Sequence, residues 1–415
     1  MSSGQGRGGG NLLVGQSGGA TAVINASLAG VVEAALAAPP GTIGEIIGMR
    51  RGVEGLLAEE LIDLRRQPPG TFDLLRRTPS AALGTCRYKL RDDDLPRALA
   101  ILRRYDVRFL LYIGGNDSAD TAHRLHVYAR ERGYELRVLA IPKTIDNDLP
   151  HTDHCPGYGS IARALALATR DSGRDTEAIP QLYPVKIIEV MGRNAGWVAA
   201  GCALARDDPR DAPQLVFLPE RPPDGLEAVL AEIERAHREV GYCVAVVPET
   251  LRDAAGRPLG GGESGFVDAF GHPYHPGVAP MLAERVKAEL GLRARYDKPG
   301  TIARMAMGAV SEVDLVEAEG VGREAVRRAL AGESDLMITI ERLSDDPYRV
   351  AYGATPLLSI ANTERRLPDE FIGADGRSVT PAFRRYALPL LGDPLPPYGR
   401  LIAERSRSIS PAPRA

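Results

Sequence analysis

The sequence predicts an α/β protein made of two doubly wound parallel-sheet domains. Three observations predict it: short apolar runs alternate with longer helical patterns, the runs end in glycine-rich or polar turns, and the alternation starts afresh after His154. A chain of 415 residues, 44% hydrophobic and 25% charged, is long enough to bury two cores.

In chain order, NLLVG (11–15) reads as a strand and AVINASLAGVVEAAL (22–36) as a helix. FLLYIGG (109–115) reads as a strand and its turn, SADTAHRLHVYARERG (118–133) as a helix, and LRVLAIP (136–142) as a strand entering a polar loop. The second series comprises the helical SIARALALATRDSG (160–173), the strand VKIIEVMG (185–192), the helical AGWVAAGCALAR (195–206), and the strands QLVFL (214–218) and YCVAVVPE (242–249). Between Glu249 and His275 the chain is rich in Gly, Asp and Pro with little periodicity, which predicts a mobile insertion near 250–275. No repeat of 20 to 50 residues and no heptad run occurs, so solenoids and coiled coils drop out.

A net charge of −3 gives no basic field of the kind nucleic acid or an anionic membrane selects, so neither is expected as a partner. Cys86, Cys155, Cys202 and Cys243 lie far apart without a CxxC pair, which argues against a zinc site or a disulfide framework and for a reduced, cytoplasmic setting. Residues 1–10 lack an apolar signal core and read as a flexible tail; the Pro, Arg and Ser residues from about Gly392 to Ala415 read as a second, weakly ordered one.

Three segments carry chemistry. Gly15-Gln16-Ser17-Gly18-Gly19-Ala20-Thr21 lies between a strand and a helix that contains Asn25, where free N–H groups and a helix dipole face an anion; a purely geometric turn is the alternative. It lacks the Lys-Ser/Thr of a Walker A loop and the GxGxxG spacing. Ile113-Gly114-Gly115-Asn116-Asp117-Ser118 makes a second strand-to-helix turn, and two such turns can converge on one phosphate; a helix cap at Asp117 or Ser118 is the alternative. Ile141-Pro142-Lys143-Thr144-Ile145-Asp146-Asn147-Asp148 sets two carboxylates two residues apart beside a lysine and a hydroxyl. In an extended segment both would face one side, one to take a proton from a hydroxyl and the other to fix geometry or metal.

Together these segments resemble the phosphofructokinase family, which pairs an SGG turn and a GGDGS-like turn with a TIDND segment. The likeness continues in order: Leu83-Gly84-Thr85-Cys86-Arg87 is similar to the family's LGSAR, Val190-Met191-Gly192-Arg193 to its VMGR, Val247-Pro248-Glu249 to its single-glutamate sugar contact, and Gly300-Thr301-Ile302-Ala303-Arg304 to its sugar-phosphate arginine segment. It spans roughly residues 11 to 365. The resemblance implies two Rossmann-like domains of the phosphofructokinase type: a donor-phosphate domain of 11–157 plus about 303–365, a sugar-phosphate domain of 158–302, and a C-terminal extension and tail over about 366–415.

It also implies phosphoryl transfer to the 1-hydroxyl of fructose 6-phosphate. Asp146 would be the base, with Thr144 and Asp148 ordering its loop; Gly18, Gly19 and Arg87 would bind donor phosphate; Arg193 would bridge sugar and transferring phosphoryl; and Ile145, Met191 and Gly192 would contact the substrate. Glu249, with no basic neighbour in sequence, would accept from sugar hydroxyls. Arg295, Thr301 and Arg304 would hold the 6-phosphate, Arg295 by reaching a neighbouring subunit of a homodimer or homotetramer. A further 6-phosphate arginine of the family falls at Pro184 here; Lys186 is a substitute or a strand residue facing solvent.

The family is split over its donor at two positions. ATP users of the bacterial type have glycine at both, whereas this chain has Asp117, which fills nucleotide space, and Lys143, which sets a cation on a terminal phosphate; the pair favours inorganic pyrophosphate. Asn116 stands where the family has a magnesium-binding aspartate, so Mg²⁺ is expected with a weakened ligand there. The alternatives are an ATP-dependent 6-phosphofructokinase and a non-catalytic regulatory subunit, and sedoheptulose 7-phosphate is a conceivable second acceptor.

Overall fold

The computed structural model describes residues 9–260, 277–361 and 363–401. Its strands are β1 (Asn11–Gln16), β2 (Ile46–Met49), β3 (Leu61–Asp63), β4 (Val107–Gly114), β5 (Arg137–Pro142), β6 (Val185–Val190), β7 (Leu215–Val216), β8 (Cys243–Pro248), β9 (Ala294–Asp297), β10 (Leu336–Asp345) and β11 (Tyr348–Pro356). Leu12, Leu13 and Val14 of β1 are all fully buried: Leu12 and Val14 join one core and Leu13 another. In β4, Phe109, Leu111 and Ile113 face the first of these cores while Leu110 and Tyr112 face the second. A strand covered on both faces reads as a continuous apolar run, and this is why these two segments were legible as parallel-sheet strands.

The first sheet has the order β11-β10-β5-β4-β1-β2-β3. Its centre is parallel, with β3 antiparallel to β2 at one edge and β11 antiparallel to β10 at the other. The strand order reverses direction between β1 and β4, which is where a ligand crevice opens in such sheets. Helices Ile24–Leu36 and Glu312–Leu330 cover one face and pack closely, because a Cβ on Gly30 or Gly322 would strike the other helix's backbone at 2.2 and 2.3 Å. The second sheet, β7-β8-β6-β9, is wholly parallel. Val185 and Ile187 of β6 face one core, and Ile188 and Val190 face another that contains Trp197. The fold class expected from the sequence is the one observed.

Several local expectations change. QLVFL supplies only the two-residue β7, and AGWVAAGCALAR forms a short helix, Trp197–Cys202, followed by a tight turn over 203–205. Residues 392–401, expected to belong to a tail, are held to the body: Arg400 pairs with Glu177 and Asp211 at 2.7 Å each, and Tyr398 bonds Asp171. In the expected insertion, residues 249–260 are anchored by buried Asp253, whose carboxylate accepts from the main chain of Ala255 and Arg257; residues 261–276 lie outside the described residues, as do 1–8 and 402–415 of the expected tails. The four cysteines are buried and unpaired. Among the described residues no helix is long and apolar enough to cross a membrane.

Candidate active site

Parallel strands deliver their carboxyl ends to one edge, so the loops after β1, β4 and β5 gather at one rim and those after β6 and β8 at another. Both rims line a single cleft of roughly 710 Å³.

The loop after β1 is fixed from below. Buried Gln16 donates to Asn25 Oδ1 (3.0 Å) and accepts from Leu83 N (2.9 Å), and Asn25 Oδ1 also accepts from Ala82 N (2.9 Å). These bonds draw residues 82–87 over the turn, Thr85 Oγ1 donates to Gly18 O (2.5 Å), and Arg87 enters the cleft beside Gly18 and Gly19. The glycines let two cations close on the backbone. Gly18 has φ 75°, a Cβ there would lie 3.1 Å from Lys143 Nζ, and a Cβ on Gly19 would lie 2.7 Å from Arg304 Nη1. Lys143 is buried and donates to Gly19 O (2.9 Å). Burial above all, with Arg304 nearby, lowers its pKa to about 8, while Asp148 and Asp146 oppose the shift.

After β4, Gly114 leaves room for Ser118 Oγ, and the following helix begins with Asn116 and Asp117 in its first turn, both lining the cleft. Asn116 commits its amide nitrogen to Thr363 O (3.0 Å), not its oxygen. After β5 the segment is bent, not extended as the sequence suggested: Asn147 adopts φ 53°, a left-handed conformation that Asn tolerates better than most residues. It is the kink, not a strand-like alternation, that brings Asp146 and Asp148 to one cleft. Thr144 Oγ1 accepts from Asp146 N (3.0 Å), and Ile145 packs into the core of the second sheet. Asp146 Oδ1 and Asp148 Oδ1 are shielded from solvent and have no hydrogen-bond partner. Burial first, then Asp148 and Glu249, raise the Asp146 pKa to about 7; Asp148 is also raised, chiefly by burial.

On the opposite rim, Met191, Gly192 (φ 107°) and Arg193 follow β6, and Glu249 follows β8. The sequence left Glu249 without a cation, but the fold brings Arg193 Nε to 3.5 Å from Glu249 Oε1, since β6 and β8 are adjacent parallel strands. Arg304 closes the cleft from helix Gly300–Arg304, its Nε shielded and unpartnered.

The expected donor-site residues and acid pair therefore meet in one cleft with Met191, Gly192, Arg193, Glu249 and Arg304. Thr301 does not line it; it is exposed on the outer side of its helix. Arg295 does not line it either: it pairs with Asp175 (3.3 Å) and stacks 3.6 Å from the Tyr183 ring centre. Pro184 is buried, and Lys186 is neither in the cleft nor in solvent, because β9 runs beside β6 and puts Asp297 2.7 Å from its Nζ. Sequence reasoning missed Asn194, Thr250, Arg252 and Glu364 in the lining. Asn194 follows directly on the VMGR-like segment and could have been found there; Glu364 carries no local signal.

The cleft can neutralise a polyanion with Arg87, Lys143, Arg193 and Arg304 while presenting an acid, Asp146, one of whose carboxylate oxygens is shielded and without a partner. Comparison with known proteins agrees with that chemistry. The family model described as Phosphofructokinase matches residues 11–329. The chain is 43% identical to a pyrophosphate–fructose 6-phosphate 1-phosphotransferase of Xanthomonas campestris, covering 92% of this chain and 91% of that one. It is 41% identical to the protein of the same name from Methylococcus capsulatus, over 94% and 93% of the two chains. A crystal structure of a pyrophosphate-dependent phosphofructokinase from Nitrosospira multiformis superposes with a TM-score of 0.85 at 37% identity, over 94% of each chain.

Proposed function

The chain belongs to the phosphofructokinase family, and from that premise we infer that it transfers a phosphoryl group from inorganic pyrophosphate to the 1-hydroxyl of fructose 6-phosphate, giving fructose 1,6-bisphosphate and phosphate. The observation that carries the donor is the run of pyrophosphate-using relatives matched along more than nine-tenths of both chains. Asp117 in the cleft supports it, since a side chain there takes up the room a nucleotide needs.

We propose the following roles. Asp146 takes the proton of the 1-hydroxyl as its oxygen attacks phosphorus; the bridging P–O bond breaks and phosphate leaves with the electron pair. A base with a pKa of about 7 suits that step at neutral pH. Gly19 offers its N–H group to the donor, the Gly18 N–H being engaged by Cys86 O (3.3 Å), and Arg87 and Lys143 offset its charge. Arg193 spans sugar and transferring phosphoryl, Glu249 accepts from sugar hydroxyls, and Arg304 holds the 6-phosphate.

The residues present fit Mg²⁺. Asp148 Oδ1 is a shielded carboxylate oxygen with no partner, and Asn116 keeps its amide oxygen uncommitted to the bond that holds its nitrogen. Among the described residues no group of three or more His, Cys, Asp or Glu could hold a metal alone, which suits an ion that takes one or two protein ligands and otherwise substrate phosphate and water. When bound, Mg²⁺ offsets pyrophosphate charge; Asp148 and Asn116 would hold it.

We propose further that the protein acts in the cytoplasm as a homodimer or homotetramer in which Arg295, absent from its own cleft, serves a neighbouring copy. Light scattering on the purified protein tests the assembly. The function is tested by assaying fructose 6-phosphate with pyrophosphate and with ATP. Turnover with pyrophosphate is expected; turnover with ATP alone would overturn the donor.

A further inference from the structure

Thr363, Glu364 and Arg365 form a short stretch after β11 that touches three walls of the cleft. Thr363 O accepts from Asn116 Nδ2 (3.0 Å), the Glu364 carboxylate accepts from Asn194 Nδ2 (3.1 Å), and Arg365 N donates to Asp148 O (2.6 Å). The Arg365 side chain reaches behind the bent loop. Its Nε and Nη2 donate to Asn147 O (3.2 and 2.9 Å), and its Nη1 donates to Thr152 O (2.6 Å) and Asp153 O (2.7 Å). The guanidinium lies 4.6 Å from the Trp197 ring centre, and the indole N–H donates to Arg365 O (3.1 Å).

The loop needs such a hold. Asn147 stands in a left-handed conformation between the two acids, and the carbonyls of 147, 152 and 153 take their bonds from a side chain instead of a sheet. Asp146 and Asp148 each keep an oxygen without a partner, a state a slack loop would abolish by letting the carboxylate turn to the nearest donor. Tyr386 braces the same loop: its hydroxyl accepts from Asn147 Nδ2 (2.9 Å) and donates to Asp153 O (2.8 Å).

We propose that Arg365 is a positioning residue for phosphoryl transfer: from behind the loop, without touching substrate, it holds Asp146 and Asp148 aimed into the cleft. Only a planar fork bonds three carbonyls and stacks on an indole at once, so lysine is not an equivalent. The proposal rests on the function inferred above, and its test separates the two.

Arg365→Lys and Tyr386→Phe, in the full chain, are assayed with pyrophosphate and fructose 6-phosphate beside the wild type, with thermal midpoints measured in parallel. Arg365→Lys is expected to keep its fold and lose roughly 10- to 100-fold in kcat, with KM for either substrate within about threefold, because misplacing a reacting group by about 1 Å costs on that order. Tyr386→Phe, which deletes one oxygen, should lose kcat in the same sense and by less. Guanidinium ion added to Arg365→Ala should restore part of the turnover where sodium chloride of equal ionic strength does not. Unchanged kcat in folded variants, or raised KM at constant kcat, overturns the proposal. If Arg365→Lys does not fold, Tyr386→Phe decides: a folded variant of unchanged kcat overturns it. Inactive wild type sinks the function instead.

Discussion

Replacing Gly19 with alanine tests whether the bare backbone of the first glycine turn makes room for the arginine assigned to the sugar 6-phosphate. Gly19 does not occupy the left-handed region, so alanine fits its backbone, and Gly→Ala at such a site changes stability by about 0.4–1 kcal/mol in the favourable sense. The new Cβ, however, would stand 2.7 Å from Arg304 Nη1. Arg304 must retreat by roughly 0.7 Å to regain ordinary contact, and with its Nε unpartnered it is free to do so. A charge-assisted hydrogen bond forfeited by that retreat is worth about 1.5–3 kcal/mol, or roughly 10- to 100-fold in KM for fructose 6-phosphate. Gly18→Ala is the contrast: at φ 75° a side chain costs about 1–2 kcal/mol of stability. Steady-state kinetics and thermal midpoints on both variants test this. If Gly19→Ala lowers the midpoint as Gly18→Ala does and leaves KM for fructose 6-phosphate alone, Gly19 serves backbone geometry and not room for Arg304.

Asp117→Gly should raise turnover with ATP by opening nucleotide space, and ATP kinetics unaltered by the change would acquit Asp117 of excluding it. Asp146→Asn should lower kcat by about 10²–10⁴-fold, and wild-type kcat should fall as pH drops through about 7, because the base must be deprotonated; a pH-independent rate between 5.5 and 8, taken as roughly the span around that pKa, would count against it. His154 is buried between Asp153 Oδ1 (2.7 Å) and Glu317 Oε2 (2.6 Å). Burial opposes its charging, but Glu317 and Asp153 outweigh burial and raise its pKa to about 9. A raised pKa means the stabilisation is complete below the unfolded value near 6.5 and is lost as pH rises through 9, by up to about 3 kcal/mol. Urea unfolding from pH 6 to 9.5, roughly that window, measures it, with His154→Gln expected to flatten the slope.

Strands buried on both faces and long helices were legible in the sequence because their patterns are local: Leu12-Leu13-Val14 and Phe109 to Ile113 need no partner to be read. The short β2 and β3, and the hairpin of β10 and β11, were not read, being pinned by neighbours across the sheet. The gathering of Gly18, Gly19, Lys143 and Asp146 in one cleft follows from strand ends in parallel sheets, which sequence order conveys. What it does not convey is pairing at a distance. Glu249 looked free until β6 set Arg193 beside it, and Lys186, read as a phosphate ligand or a solvent-facing strand residue, is neither once β9 brings Asp297. The bend at Asn147 is a backbone conformation that residue identity permits without requiring, and Arg365 does its bonding through main-chain carbonyls, which leave no mark on residue type.

The pairing of β10 with β5 joins Leu336 to Leu139, so roughly two hundred residues of chain separate two neighbouring strands. During synthesis the β5 edge emerges early and stays uncovered while the entire second sheet is made. An uncapped parallel edge is a template for foreign strands. A nascent chain of this protein therefore passes through a long interval in which the β5 edge has no partner, and a product that stops short of β10 would leave Arg137 to Pro142 open to pairing with other copies. Yield on expression should thus depend on completion of the crossover more than on the stability of either core.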